Sequence, residues 1–210
     1  MPKSKQPTLE SPIGIMVFGN LVKPEEDLSG RPVWQGSLRI PMDQSERLLQ
    51  AIADAVESKQ QEDKSFPDVT DPKLKKPYKP ALDRDPENPE APKTESKTDV
   101  LFKFTRKLEW KDKSGKIHQR SAPTLYDAAG KVVNDQLTDV PWGSTGRFFF
   151  VAIPYDFRGS KGVSLGLEAF QIKELREVSS QINAAPIEGG WIAPASDEVD
   201  MNEMAALLAD

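Results

Sequence analysis

Two stretches of the sequence interleave aromatic residues with lysine and arginine. The first, FKFTRKLEWKDKSGK, begins at residue 102, and the second, PYDFRGSK, begins at residue 154. Cationic side chains can follow the phosphates of a nucleic acid, while aromatic rings stack on its bases whatever their order. Each stacked base contributes about 1–3 kcal/mol, which is more than one exposed lysine adds. This mixture of residues indicates a surface for single-stranded nucleic acid.

Periodicity assigns several of the aromatic side chains to the core instead. Phe102 and Phe104 share one face of a predicted strand with apolar neighbours, so we expect them to be buried. At least two of the three phenylalanines at 148–150 are expected in the core, because they lie in the most apolar run of the chain. Tyr155 and Phe157 lie at a predicted strand end, where stacking on a ligand and packing remain equally good interpretations.

The sequence offers no clear catalytic set, because a nucleophile and its base would have to come from serine, lysine and carboxylates alone. There is no cysteine, and the single histidine, His118, has polar neighbours that favour an exposed strand position. No phosphate-binding loop or dinucleotide-binding glycine pattern is present, and GSTG at 143–146 is typical of a turn. No acidic spacing resembles a calcium loop. We therefore expect no enzyme activity, no catalytic residues, no cofactor and no metal site, with a metal-dependent nuclease as the weakest alternative.

Acidic residues are concentrated at the C-terminus. Residues 194–210 contain five acids and no lysine or arginine, whereas the whole chain has 33 acidic and 28 basic residues. The chain before residue 194 is therefore neutral overall. An acidic tail on a neutral body is typical of a disordered interaction segment, and its carboxylates can mimic phosphates in a basic groove until DNA displaces them.

The elements that position these residues are mainly strands. The N-terminal part predicts two, one with Ile13, Ile15, Val17 and Leu21 at a two-residue spacing and one at 33–41. About four more are expected between residues 100 and 175. One of them, GRFFFVAIPYDF, is predicted to stop at its proline. Another, KGVSLGLEAFQI, has one nearly bare face, with Gly162, Ser164 and Gly166 before Glu168, that indicates tight bending or a close neighbour.

Turns and one helix connect the predicted strands. The stretch KDKSGKIHQR predicts a hairpin with its turn at Ser114-Gly115, and Trp110 at its mouth fits either packing or stacking. A second turn is predicted at Ala129-Gly130. A helix is predicted over 42–59, with Asp43 or Ser45 as its cap and an apolar face that packs on the sheet. The proline-rich, charged segment 57–99 is predicted to be an extended and partly mobile excursion.

These elements predict a mainly β protein, a five-stranded Greek-key barrel of the oligonucleotide-binding type with one packed α-helix. We expect a flexible N-terminus at 1–12, a binding domain at 13–193 that contains the excursion, and an acidic tail at 194–210. No run approaches the ~18 apolar residues of a membrane span, and the N-terminus lacks the apolar core of a signal peptide. The sequence thus predicts a soluble, intracellular protein.

Several short motifs occur in a fixed order along the chain. They are GSLRIP, LKKPYKP, FKF, YDAAGKVV, DVPWGSTG, IPYDF and KGVSLGLEAFQIKEL. In this order and spacing the sequence resembles the replication single-stranded DNA-binding proteins of short-tailed lytic phages, a divergent branch of the oligonucleotide-binding fold. The likeness runs from about residue 13 to 177 and continues in the tail.

The resemblance implies a phage protein of the host cytoplasm that coats single strands during DNA replication and recombination, removes hairpins and promotes annealing. It also implies that the acidic tail contacts the replication polymerase and the helicase/primase and competes with DNA, and it allows a homodimer. The alternative is a protein-interaction module of the same fold that binds no nucleic acid. DNA-dependent quenching of tryptophan emission would distinguish the two.

The resemblance also implies roles for individual residues. Tyr155 and Phe157 match a Pro-Tyr-x-aromatic element at the DNA groove, and Lys103 and Lys107 lie on the matching strand. The tail ends in AALLAD, without the terminal aromatic residue typical of the family, so two leucines are expected to supply the apolar contact. The predicted DNA-binding residues are Lys103, Lys107, Trp110, Lys111, Lys113, Tyr155, Phe157, Arg158 and Lys161. The predicted partner-binding residues are Asp197, Glu198, Asp200, Glu203, Leu207, Leu208 and Asp210.

Overall fold

A computed structural model of the protein describes residues 7–177, apart from residues 28, 86, 89, 112 and 113 and the side chain of residue 111. All the predicted tail residues lie outside this range. The described strands are β1 (Leu9–Glu10), β2 (Gly14–Glu26), β3 (Pro32–Pro41), β4 (Tyr78–Asp83), β5 (Thr94–Lys107), β6 (Glu109–Lys111), β7 (Ile117–Gln119), β8 (Thr124–Tyr126), β9 (Thr145–Phe157) and β10 (Ser160–Glu174). The helix α1 spans Glu46–Glu62, and two 3-10 turns span Met42–Gln44 and Asn134–Gln136.

Five long strands form a ring. In antiparallel pairs β2 lies beside β3, β3 beside β5, and β10 beside β9. A short parallel pairing joins β5 to β10, and a short antiparallel pairing joins β9 back to β2. This neighbour order is consistent with an oligonucleotide-binding type of fold, and the prediction of a mainly β chain with one helix is confirmed.

Aromatic side chains fill the inside of the ring. Phe102, Phe104, Phe148 and Phe150 are fully buried, as the two-residue periodicity predicts, and the ring centroids of Phe104 and Phe148 are 4.5 Å apart. Successive side chains of a strand alternate between its faces, so the neighbours of these residues point outward. The outer face of the ring therefore carries the polar and cationic side chains of the same strands.

The prediction for β2 requires a correction. Ile13 and Ile15 are exposed, and Met16 is the buried residue, so the apolar spacing marks the outer face of the first half of this strand. The pairing of β2 with β3 is irregular on both sides of Gly19, which has a φ of +110°. This bulge changes which residues face inward, and Leu21 is therefore buried although it continues the spacing of the exposed residues.

Helix α1 packs its apolar face on the core, as predicted. Leu48, Ile52 and Val56 are buried in the same cluster as the phenylalanines that fill the inside of the strand ring. Ser45 occupies the N-cap position, as one of the two predicted candidates, but its hydroxyl donates to the carbonyl of Met42 at 2.7 Å and makes no capping hydrogen bond to the helix. A 3-10 turn precedes the helix, and the hydroxyl turns back to it. Neither α1 nor any other described helix has the length and apolar character needed to cross a membrane.

The interpretation of 57–99 as a mobile excursion is also corrected. Phe66 and Leu74 are buried in the core, and the segment supplies the whole of β4. Lys75 donates its N–H to the carbonyl of Lys161 at 2.9 Å and accepts the N–H of Val163 at 3.0 Å, so the chain fills the space where β10 and β5 diverge. A few well-spaced apolar anchors and backbone hydrogen bonds are enough to order a segment whose average composition resembles a linker.

Strand β9 does not stop at its proline, contrary to the prediction. It continues to Phe157, and Pro154 lies opposite Val163 of β10. Among the described residues, β9 beyond Phe150 has a strand neighbour only on the β10 side. A proline is tolerated in such an edge position, because its missing N–H removes no essential hydrogen bond between strands.

Candidate nucleic-acid interface

A groove of about 760 Å³ crosses the outer face of the ring, where β4 lies beside β5. We call it the basic groove, because its described lining contains four lysines and one arginine and no acidic residue. The lining residues are Val17, Phe18, Ser37, Arg39, Lys76, Pro77, Tyr78, Lys79, Ala81, Leu82, Lys93, Leu101 and Lys103. Like charges gathered on a concave surface raise its attraction for polyanions.

The strand periodicity explains why these residues meet. On β5, Leu101 and Lys103 alternate with the buried Phe102 and Phe104, and on β3 the outward Arg39 alternates with buried leucine and isoleucine. The segment 57–99, which was predicted to be an excursion, supplies the outer wall of the groove, because its strand β4 pairs with β5. The N–H of Lys103 donates to the carbonyl of Pro77 at 2.8 Å, just before β4 begins.

Two exposed aromatic rings lie at the rim of the groove. Phe18 is 44% exposed and Trp142 is 55% exposed, and their ring centroids are 5.7 Å apart. The indole N–H of Trp142 donates to the carbonyl of Gly19 at 3.0 Å, which holds the ring beside β2. Exposed rings in a fixed orientation are suited to stacking on a flat ligand, because little rotamer entropy is lost on binding.

A third ring lies within the groove itself. Tyr78 is half-buried, and its ring centroid is 5.5 Å from that of Phe102. Burial raises the pKa of the Tyr78 phenol, so this side chain stays neutral at physiological pH. The groove thus combines the ammonium groups of its lysines, apolar surface and a neutral phenol.

The structure places the predicted β5 lysines on one face. Lys103 lines the groove, and Lys107 is exposed four residues further along the same strand, about 13 Å away at the usual rise of a strand. Lys113 and the side chain of Lys111 lie outside the described residues. The strand therefore carries its lysines from the groove toward the β6–β7 hairpin.

Trp110 lies outside the groove, on this separate two-stranded hairpin. The predicted hairpin is confirmed by the pairing of β6 with β7. The Trp110 ring stacks on His118 with centroids 4.5 Å apart and planes 16° apart, while 41% of the residue stays exposed. His118 is half-exposed rather than fully exposed, because this stacking covers part of it. One face of the Trp110 ring is thus in contact within the protein.

The other predicted cluster forms the tip of the β9–β10 hairpin. Phe157 is 62% exposed, and the guanidinium carbon of Arg158 lies 5.3 Å from its ring centroid. Arg158 and Gly159 both have positive φ values, +51° and +79°, which is typical of a tight two-residue hairpin turn. We refer to residues 155–159 as the hairpin tip.

The bare face of β10 accommodates close neighbours. A Cβ atom on Gly162 would lie 2.6 Å from the carbonyl oxygen of Lys75 and 2.6 Å from the hydroxyl of Tyr155. At Gly166 the nearest atom to an added Cβ would be the terminal methyl of Ile153, at 2.8 Å. The glycine-serine face thus serves packing within the protein at these two positions.

Lys161 has extensive contacts within the protein. Its ammonium donates to the hydroxyl of Ser65 at 2.8 Å and to the carbonyl of the same residue at 3.1 Å, and it lies 3.4 Å from a carboxylate oxygen of Asp63. These contacts join the hairpin to the loop after α1. They compete with phosphate for the ammonium, so the predicted role of Lys161 in binding DNA stays a prediction.

The hairpin tip and the basic groove are neighbours. Lys75 pairs with Gly162 below the hairpin tip, and Tyr78 lies in the groove three residues later. Three residues span at most about 11 Å of extended chain. The hairpin tip and the basic groove are therefore linked through the exposed Lys76, which lies between Lys75 and Tyr78 in the chain.

Sequence reasoning missed most of the groove. The missed residues are Phe18, Lys76, Tyr78, Lys79, Leu82, Lys93 and Trp142. The signal available for β2 was that apolar residues occupy both of its faces, which indicates an apolar outer surface. LKKPYKP contains three of the missed residues, but its position in a proline-rich segment favoured a linker.

Comparisons with known proteins were made for the whole chain. No protein-family model and no curated protein sequence matches it. Solved structures do match, among them the crystal structure of gp2.5, a single-stranded DNA-binding protein encoded by bacteriophage T7. That match has 20% sequence identity and a TM-score of 0.57 and covers 90% of this chain and 100% of that one.

A second phage protein gives a similar result. The single-stranded DNA-binding protein from bacteriophage Enc34, in complex with single-stranded DNA, matches with 13% identity and a TM-score of 0.55 over 81% of this chain and 88% of that one. The chain has the fold of these phage proteins. The resemblance found in the sequence is thus supported at the level of fold, and both matched proteins are described as single-stranded DNA-binding proteins.

Proposed function

We propose that the protein binds single-stranded DNA without sequence preference during phage DNA replication. The observation that carries this proposal is the basic groove, in which exposed lysines and the partly exposed rings of Phe18 and Tyr78 line the outer face of the strand ring across β3 and β5. In oligonucleotide-binding folds this part of the ring and the adjoining loops contact the ligand. The two phage proteins with the same fold support the class of ligand.

The composition of the groove accounts for binding that does not depend on base sequence. Leu82 and Leu101 offer apolar surface to base faces, and the lysines offer point charges to phosphates. Ser37 and Tyr78 are the uncharged hydrogen-bonding side chains of the described lining. Two such groups are too few to read the edges of successive bases.

The proposed DNA path joins the hairpin tip to the basic groove. It begins at the hairpin tip with Tyr155, Phe157 and Arg158, passes Lys76, and follows the groove to the rim rings. Lys107, Trp110, Lys111 and Lys113 would extend it along β5 and the β6–β7 hairpin. Protection of single strands, annealing and a part in recombination are the roles that this path and the resemblance support.

The first test is a titration with oligo-dT that follows tryptophan emission at two salt concentrations. We expect saturable quenching and an affinity that falls steeply with salt, because phosphate binding releases counterions. Trp142→Phe should remove most of the quenching, whereas Trp110→Phe should remove less. No saturable binding of the wild-type protein at low salt would contradict the proposal and favour the protein-interaction module.

We propose that the acidic tail recruits the replication polymerase and helicase/primase and competes with DNA for the basic groove. A tethered segment with five carboxylates has a high effective concentration near the groove. Deleting residues 194–210 should therefore tighten oligo-dT binding at low salt. A tail of equal length with Asn and Gln in place of the acids should act like the deletion. An affinity that stays unchanged or falls in both variants would contradict competition.

A further inference from the structure

One arginine of the basic groove joins three strands. Arg39 of β3 donates from Nε to Oδ2 of Asp99 on β5 at 2.7 Å and from Nη2 to Oδ1 of Asp83 on β4 at 2.5 Å. Its Nη2 also lies 2.6 Å from Oδ2 of Asp99. We call these three residues the Arg39 bridge. They are brought together from distant parts of the chain, since 44 positions separate Arg39 from Asp83 and 60 separate it from Asp99.

The strand held by this bridge has few other attachments. Among the described strands β4 pairs only with β5, and Ala81 is its one fully buried residue. Its Pro80 has no N–H to donate. The pairing is also interrupted, because Pro80 faces Val100 while Leu82 faces Glu95, so β5 has four residues where β4 has one. The Arg39 bridge spans this irregular site.

The same weakly attached strand forms a wall of the groove. It contributes Tyr78, Lys79, Ala81 and Leu82 to the lining, while Arg39 lies on the opposite side. The position of β4 therefore sets the width of the groove. A shift of about 1 Å in such a wall is enough to change the fit of a ligand, as positioning effects in binding sites show.

The charges of the bridge argue against Arg39 as a phosphate ligand. Two carboxylates more than offset its single positive charge, so the three residues together carry one negative charge. A hydrogen bond from Ser96, and after it the one from Arg39, lowers the pKa of Asp83 below its usual range, so this carboxylate stays ionised at neutral pH. The side chain of Arg39 is itself only partly exposed, at 29%.

We infer that Arg39 is a positioning residue of the basic groove, which fixes β4 at the spacing that single-stranded DNA requires and does not bind phosphate itself. This inference rests on the function proposed above. It makes an unusual prediction, because removing an acid of the bridge makes the protein more positive and should nevertheless weaken its binding to a polyanion.

The test compares two variants with the same change in charge. Asp83→Ala removes one acid of the bridge, and Asp85→Ala removes an acid two residues later whose described hydrogen bond is to the nearby N–H of Glu87. We expect Asp83→Ala to bind oligo-dT about fivefold more weakly, the scale of one partly exposed ion pair, and Asp85→Ala to bind as tightly as the wild type or more tightly. Amide hydrogen exchange of Ala81 and Leu82 should be faster in Asp83→Ala and unchanged in Asp85→Ala.

A second variant separates geometry from charge. Arg39→Lys keeps the positive charge but replaces a planar fork by a single ammonium, which cannot bridge two carboxylates in the same way. It should weaken binding and speed exchange in β4, as Asp83→Ala does. Wild-type affinity in Arg39→Lys, or equal affinity in Asp83→Ala and Asp85→Ala, would overturn the inference while leaving the proposed function intact. Absence of binding by the wild type would overturn both.

Discussion

At the scale of single residues, the most informative side chain is Trp142. More than half of it is exposed, yet a hydrogen bond to Gly19 and the contact with Phe18 hold its ring at the rim of the basic groove. An exposed tryptophan in water is usually unfavourable for a soluble protein, and a stacking partner would remove that cost. Its position therefore points to a ligand with a flat face.

Replacing Trp142 by alanine tests this position. We expect oligo-dT affinity to fall about tenfold, since a stacked base contributes about 1–3 kcal/mol. The fold should be retained, because the exposed ring contributes little to the core, and circular dichroism would check this. Trp110→Ala removes the same kind of ring at the far end of the proposed path and should lose less affinity, and fluorescence anisotropy of a labelled oligonucleotide measures both. An equal loss in both variants would contradict a special role of the groove rim.

At the scale of elements, the sequence predicted those whose pattern is regular. The alternation around Phe102 and Phe104, the helical spacing of Leu48, Ile52 and Val56, and the hairpin turn at Ser114-Gly115 all correspond to elements of the structure. In each case one face is clearly apolar and the local turn chemistry agrees with it. When the local preferences of a segment agree with its place in the overall fold, its structure can be predicted from the sequence pattern.

Two strands, one predicted with the wrong buried face and one not predicted, have patterns that two structures could share. The strand β2 is apolar on both faces, so spacing alone could not identify its buried side, and the bulge at Gly19 depends on its contact with β3. The strand β4 lies in a proline-rich segment, and its pairing with β5 is a long-range interaction. The groove was missed for the same reason, because its lysines come from segments that meet only in the folded chain.

The packing at the bare face of β10 leads to a prediction on stability. Gly162→Ala should lower the free energy of unfolding by about 1–3 kcal/mol, because its Cβ would meet the backbone oxygen of Lys75. Gly166→Ala should cost less, since its nearest neighbour is the flexible end of Ile153. Urea unfolding followed by tryptophan emission measures both. Equal losses would show that the contact with Lys75 is not the cause.

At the scale of the whole molecule, the ionisation of surface aspartates that accept hydrogen bonds contributes to the response to acid. Hydrogen bonds lower the pKa of four of them, chiefly from the backbone of Arg31 in one case and from serine or threonine hydroxyls in the others. These residues are Asp27, Asp63, Asp68 and Asp83. Because their pKa values are lower in the folded state, the stability they contribute is present above pH 3.8, the ordinary aspartate value, and is lost below it as the pH falls through the folded values.

The expected result is a free energy of unfolding that changes little between pH 7 and pH 5 for these groups and falls below about pH 4. Urea unfolding at a series of pH values measures it. Asp68→Asn should reduce the slope in acid, because the hydrogen bonds that it accepts from Thr70 no longer depend on ionisation. A loss of stability that begins well above pH 5 would mean that other groups dominate.

The order in which the chain is made has a consequence for the basic groove. All its described lining residues lie between Val17 and Lys103, in the first half of the chain, whereas Phe148, Phe150 and Phe170 beneath the ring come later. A ribosome therefore delivers the whole described lining of the groove before the part of the core that β9 and β10 supply. Contacts so far apart in sequence form slowly, since the intervening loop must close first. A nascent chain that ends before β9 would thus contain every residue of the groove and still lack its shape.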